Sequence, residues 1–152
     1  MDPRLPLALI VDDDLTFRTL FRMSLDQLNL RVEEAASGQE AIELATMRMP
    51  DIVILDMQMP DMDGFTTCQR LRQLPGGDVV PILVITGLDD VESIARAYDM
   101  GATDFIIKPC HGLILNQRVR YMLRAGQTLS SLRSSESRLA QAQRIAHLGG
   151  WE

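Results

Sequence analysis

"LALIVDDDLT", residues 7–16, sets five apolar residues directly before three aspartates. The apolar part shows no alternation, so it reads as a strand covered on both faces, as in a parallel sheet. Three comparable runs follow at Ile52–Leu55, Ile82–Ile85 and Phe105–Ile107, with a weaker one at Arg31–Ala35. Their spacing is roughly that of a βα unit. Between them the apolar positions take a helical period: Phe17, Leu20, Phe21, Ser24, Leu25 and Leu28 form one stripe, and Val91, Ile94, Ala95 and Tyr98 another. Ser37 followed by Glu40 is a capping-box signature for a helix through about Met47. Phe65, Cys68 and Leu71 mark a further helix, and Ile114, Leu115, Val119, Met122 and Leu123 supply the fifth. The reading is βα repeated five times, ending near Arg124.

With 152 residues, 46% of them hydrophobic, the chain can build one ordinary core and a short extension. A net charge of -6 and scattered basic residues argue against direct nucleic-acid contact by this segment, because phosphate contacts need clustered Lys and Arg. The early apolar run contains Pro6 and stops at aspartates, too short for a membrane span and wrongly flanked for a secretory signal, so a cytoplasmic protein without membrane contact is expected. Cys68 and Cys110 lack metal-type or redox spacing and read as idle thiols.

In an open parallel α/β sheet, ligands bind outside the carboxyl ends of the strands. There the sequence places Asp12, Asp13 and Asp14 after the first strand, Asp56 after the third, Thr86 after the fourth and Lys108 with Pro109 after the fifth. Carboxylates about 4 Å apart repel by roughly 4 kcal/mol per pair at an effective dielectric of 20. Protonation of one acid or a hard divalent cation offsets this, and Mg²⁺ with oxygen ligands fits the set. Lys108 and Thr86 suit phosphoryl oxygens, and an aspartate can be a nucleophile. The set suits phosphoryl transfer, where positioning and charge neutralisation dominate.

The spacing of "IVDDD", "ILDMQMPDMDG", "VITG" and "DFIIKP" resembles the receiver domain of bacterial two-component response regulators, over residues 6 to about 124. The resemblance implies a flavodoxin-like three-layer α/β sandwich with a parallel sheet in the order 2-1-3-4-5. It implies that Asp56 takes a phosphoryl group from a sensor histidine kinase or phosphotransfer protein. Asp13, Asp56 and the Gln58 backbone carbonyl then hold Mg²⁺, with Asp12 acting largely through a metal-bound water. Thr86 and Lys108 grip the phosphoryl oxygens, Phe105 is the aromatic switch that follows Thr86, and the Lys108–Pro109 peptide is cis. On this reading the protein catalyses only its own phosphorylation and dephosphorylation. Gly87 and Cys110 depart from the commonest family pattern, and Gln58 and Leu88 occupy the positions that tune phosphate lifetime.

The remaining acids and turn residues have plainer readings. Asp14 caps or favours the first helix. Asp61 and Asp63 are loop acids or caps, Pro60 restricts φ, and Gly64 suits a positive-φ turn. Met57, Met59 and Met62 read as partial surface packing, with a partner-facing patch as the alternative.

Two other functions compete. Asp12, Asp14 and Thr16 fit the D-x-D-x-T motif of haloacid-dehalogenase-like phosphatases, but no acid falls between Lys108 and Glu136 to complete that metal site, and Asp56 has no role there. A receiver-like interaction module without phosphorylation is the third reading, yet every key group is kept.

The expected domains are a receiver over residues 4 to 124, a linker or signalling helix over 125 to 148, and the start of a truncated second domain over 149 to 152. Leu132, Leu139 and Ala146 fall seven apart, a polar-spoiled heptad seam that reads equally as a solvated linker and as a parallel homodimer stalk. "SRLAQAQRIAHLGGWE" resembles the entry to a PAS domain, which implies a further output such as a diguanylate cyclase, a phosphodiesterase or a hybrid kinase.

Overall fold

The computed structural model describes residues 5–126. Five strands, β1 (Leu7–Val11), β2 (Arg31–Ala35), β3 (Ile52–Asp56), β4 (Ile82–Thr86) and β5 (Asp104–Ile107), alternate with helices α1 (Leu15–Leu25), α2 (Gly38–Met47), α3 (Gly64–Gln73) and α4 (Val91–Asp99). A fifth helix, α5, covers residues 112–126. All strand pairs are parallel and the sheet order is β2-β1-β3-β4-β5, as expected. The heptad seam and the PAS-like stretch lie outside the described residues.

Period-2 alternation sorts each strand onto two cores. Leu9, Val11, Val53, Leu55, Ile82 and Val84 face a cluster completed by α2, α3 and α4. Ala8, Ile10, Ile52, Ile54, Leu83, Ile85 and Ile106 face a second, completed by Phe21 and Leu25 of α1 and Leu115, Val119 and Met122 of α5. Both faces of β1, β3 and β4 are therefore buried, which is why their sequences show no polar alternation. β2, at an edge, is only half-buried and reads weaker.

The helix starts follow the short polar residues. Asp14, Ser37, Asp63 and Asp90 are the N-caps of α1 to α4, accepting from the amides of Thr16, Glu40, Thr66 and Ser93. Asp14 and Asp63 are thus caps, and Asp61 is an exposed loop acid.

Several expectations are corrected. Leu20 on α1 and Ile114 on α5 are half-exposed; on α4 Tyr98 is half-exposed and Val91 is 81% exposed, because that helix seats the small Ala97 on the core rather than its large apolar stripe. Met57 and Met59 are buried members of the α2–α3 core, not surface packing. The positive φ after β3 falls at Asp61, at 65°, and not at Gly64. Gly64 serves close approach instead: a Cβ there would lie 2.5 Å from Met57 Cα and 2.6 Å from the Asp56 carbonyl oxygen.

Arg72 forms a brace that the sequence did not announce. Its guanidinium donates to the carbonyls of Gly77, Val80 and Gly101 and to Thr103 Oγ1, tying the loop before β4 to the turn before β5. Gly64→Ala is expected to cost about 2 kcal/mol or more, since the backbone it meets cannot yield as a side chain could. Urea unfolding against the parent chain checks this, and an unchanged midpoint would contradict the close approach.

Candidate functional site

The same alternation that builds the two cores aims the site. Asp56 continues the parity of Ile52 and Ile54, pairs in register with Ile85, and so belongs to the α1–α5 face. Lys108 follows Ile106 at an interval of two, and its amide donates to the Thr86 carbonyl at 2.7 Å, extending the ladder beyond β5. Thr86 and Phe105 have the opposite parity: Phe105 packs against the α2–α4 core. Acids and lysine thus meet on one side of the sheet edge, and the hydroxyl and the aromatic lie toward α4.

Lys108 Nζ donates to Asp56 Oδ1 at 3.1 Å and lies 3.9 Å from Asp12 Oδ2. Asp12 and Asp56 are almost wholly buried, at 1% and 3% exposure, while Asp13 is exposed. Carboxylate oxygens of Asp12, Asp13 and Asp56 all fall within 4.8 Å of one another. Asp12 Oδ1 accepts from the Asp14 amide at 2.9 Å, but Asp12 Oδ2 is buried with no hydrogen-bond partner. At 3.9 Å Lys108 offers it charge and no hydrogen bond.

These surroundings raise both buried acids. Burial pushes the Asp12 carboxyl up to about 6; the Asp14 amide opposes this, the charge of Asp56 adds to it, and Lys108 and Asp13 contribute smaller, opposite effects. Asp56 is also raised by burial, against the pull of Lys108 and the Gln58 amide, which donates to Asp56 Oδ1 at 3.4 Å.

Around this centre stand the other expected residues. Thr86 is buried, and its Oγ1 accepts from the Leu88 amide at 2.9 Å. Phe105 lies edge-on to Tyr98 with ring centroids 5.8 Å apart. The Lys108–Pro109 peptide is cis, as the resemblance implied. Gln58 is exposed, and its Oε1 would lie 3.0 Å from a Cβ at residue 87, so Gly87 leaves room for the Gln58 side chain.

The sequence reading missed Arg18. Its Nη1 donates to the Asp12 carbonyl at 2.8 Å while its Nε pairs with Glu34 Oε1 at 3.2 Å, and Arg22 pairs with the other Glu34 oxygen at 2.9 Å. Arg18 therefore holds the peptide that joins Asp12 to Asp13. Its place one turn after Asp14 was the available signal.

The rival phosphatase motif does not assemble. Asp14 accepts from Thr16 N as a helix cap, and Thr16 is exposed. Asp56, which that reading left idle, sits at the centre instead.

Among the described residues no helix is long and apolar enough to cross a membrane. The model of the response regulator receiver domain matches residues 8–120. The transcriptional regulatory protein AfsQ1 of Streptomyces coelicolor is 35% identical over 127 residues, which is 84% of this chain and 55% of that protein. The DNA-binding dual master transcriptional regulator RpaA of Synechocystis is 35% identical over 120 residues, 79% of this chain and 50% of that protein. The chain thus spans about half the length of these curated relatives. Among solved structures, the chemotaxis protein CheY4 of Vibrio cholerae superposes with a TM-score of 0.74 at 29% identity, covering 78% of this chain and 98% of that one. Neither the phosphatase nor the phosphorylation-free module gains support from these matches. With the parallel sheet, the acidic edge and the family match in agreement, the chain belongs to the response regulator receiver domains of two-component signalling.

Proposed function

We propose that Asp56 is the phosphoacceptor, receiving its phosphoryl group from a histidine kinase or phosphotransfer protein and switching a C-terminal output. The observation that carries this reading is the ammonium of Lys108 held 3.1 Å from Asp56 Oδ1, with the unpartnered Asp12 oxygen beside it. An Asp56 oxygen attacks phosphorus, the bond from phosphorus to the donor breaks, and its electron pair leaves with the donor. The product is an acyl phosphate. On this reading the protein acts only on itself and is a signalling phosphoacceptor rather than an enzyme for an outside substrate.

The donor set suits Mg²⁺: oxygen ligands only, three carboxylates gathered, and one buried oxygen lacking a hydrogen bond. Asp12 (through water), Asp13, Asp56 and the Gln58 carbonyl would hold it. When bound, the ion neutralises the acids and the charge on the incoming phosphoryl group. Lys108 is placed to transfer its contact from Asp56 to a phosphoryl oxygen. Thr86 Oγ1 already accepts from Leu88, so its own proton can be donated to another phosphoryl oxygen. A Thr86 drawn inward pulls the loop at Leu88 and empties space beside Phe105, which shifts the population at the α4–β5 face.

The partner reading also changes. Low positive charge argued against direct nucleic-acid contact, yet one relative is named as DNA-binding and another as transcriptional. A nucleic-acid output in the intact protein therefore joins the PAS-linked outputs as a proposal, and the charge argument is confined to this segment.

Incubation with acetyl phosphate and Mg²⁺, borohydride trapping and tryptic mapping is expected to place label in Met49–Arg70. Asp56→Asn is expected to abolish it with the fold intact. Label in Leu5–Arg18 instead would move the nucleophile to Asp12.

A second prediction concerns pH. Without a cation, Asp12 binds its proton more tightly folded, at about 6, than at the ordinary value of 3.8. The folded state then holds the extra proton between these values, so this group's contribution to stability falls as pH rises from about 4 to about 6. The groups facing it are Asp13, Asp56 and Lys108. In EDTA, Asp12→Asn is expected to be more stable than the parent at pH 7.5, with the advantage shrinking toward pH 4.5. Parallel urea-midpoint profiles for the two chains would refute the assignment.

A further inference from the structure

The Lys108 ammonium has a third neighbour besides the two acids. Its Nζ lies 4.3 Å from the centroid of the Phe17 ring on α1. A cation this close to an aromatic face is attracted by the ring's negative quadrupole. Phe17 is itself fixed: its ring meets Phe21 at 6.1 Å between centroids with a 30° tilt, and Phe21 is buried in the α1–α5 core. A chain of contacts therefore runs from the core through Phe21 and Phe17 to Lys108 and Asp56.

Both Phe17 and Lys108 line the groove between α1 and α5, so the ring and the lysine border the same open space. The lysine side chain is 21% exposed. Lysine carries its charge on a flexible four-carbon stem, and an ion pair alone leaves that stem free to swing outward. A ring face attracts the ammonium without providing an acceptor that would compete with phosphoryl oxygens for its N–H groups. An aliphatic side chain at residue 17 would fill much of the same space and attract nothing.

We propose that Phe17 is a positioning residue for Lys108, holding the ammonium at Asp56 through its ring face and thereby setting the rate of phosphoryl transfer. The proposal rests on the phosphoacceptor reading for its effect on rate, and on geometry alone for the contact.

The test uses the full chain with Phe17→Leu, Phe17→Tyr, and a series carrying one, two or three fluorines on the residue 17 ring. Fluorination drains the ring face while nearly preserving its shape. Two readouts are taken: the proton shifts of the Lys108 ε-methylene, which a ring face moves upfield, and the initial rate of labelling by acetyl phosphate with Mg²⁺. The parent and Phe17→Tyr are expected to show shifted ε protons and similar rates. Phe17→Leu is expected to lose the shift and about threefold to tenfold in rate, the range of a partly desolvated cation–π contact. Across the fluorinated series the logarithm of the rate is expected to fall steadily, which a space-filling role would not produce. Unshifted ε protons in a parent chain that does take label, a Phe17→Leu rate equal to the parent's, or a flat fluorine series overturns the proposal alone. A parent chain that takes no label overturns the phosphoacceptor reading, and the rate role with it.

Discussion

Burying two carboxylates side by side at the ends of adjacent strands is the constraint from which the rest of the site follows. Asp12 and Asp56 are each withdrawn from water by the same cores that stabilise the sheet, so their repulsion is not screened as it would be at a surface. Lys108 offsets part of that charge through Asp56, and one Asp12 oxygen remains without a hydrogen bond. Burial raises both acids toward neutrality, and an added positive charge draws them back toward ionisation. The fold thus holds an unfavourable arrangement in place through hydrophobic burial elsewhere, and on the proposed function that arrangement is what a cation and a phosphoryl group would relieve.

The division of the sheet edge into two sides gives the site its direction. Asp56 and Lys108 share the α1–α5 side, where Arg18 holds the Asp12 peptide and the Phe17 ring faces the ammonium. Thr86 and Phe105 have the other parity and lie toward α4, whose outer surface keeps Val91 and Tyr98 exposed. On the proposed function, a chemical change on one side would reach the other through the Thr86 hydroxyl at the end of β4. The one-residue alternation of a β-strand is therefore enough to separate where phosphate would be held from where its presence would be read.

Much of this was legible in the residues. The uninterrupted apolar runs marked strands buried on both faces, and Asp14, Ser37 and Asp63 sat where helices begin because short acceptors satisfy the first amides. The convergence of Asp12, Asp13, Asp56, Thr86 and Lys108 followed from the rule that strand ends share one edge. What failed were inferences from hydrophobicity to burial. Val91 and Leu20 are apolar and exposed, whereas Met57 and Met59, read as surface packing, lie in the core among residues of α2 and α3. Gly64 was assigned a backbone angle when its need was room, and no local pattern distinguishes the two.

The order of residues along the chain determined the strands, the helix starts and the set of groups that meet at the edge, because each depends on neighbours one to four positions apart or on a strand simply ending. Only the tertiary structure decided which partner each group takes. Arg72 reaches Gly101 across 29 residues, Arg18 reaches Glu34 across 16, and Phe17 on α1 meets Lys108, which follows the last strand. These contacts rest on how helices settle onto a twisted sheet, a packing outcome summed over the whole core, and a local stretch of sequence does not carry that sum.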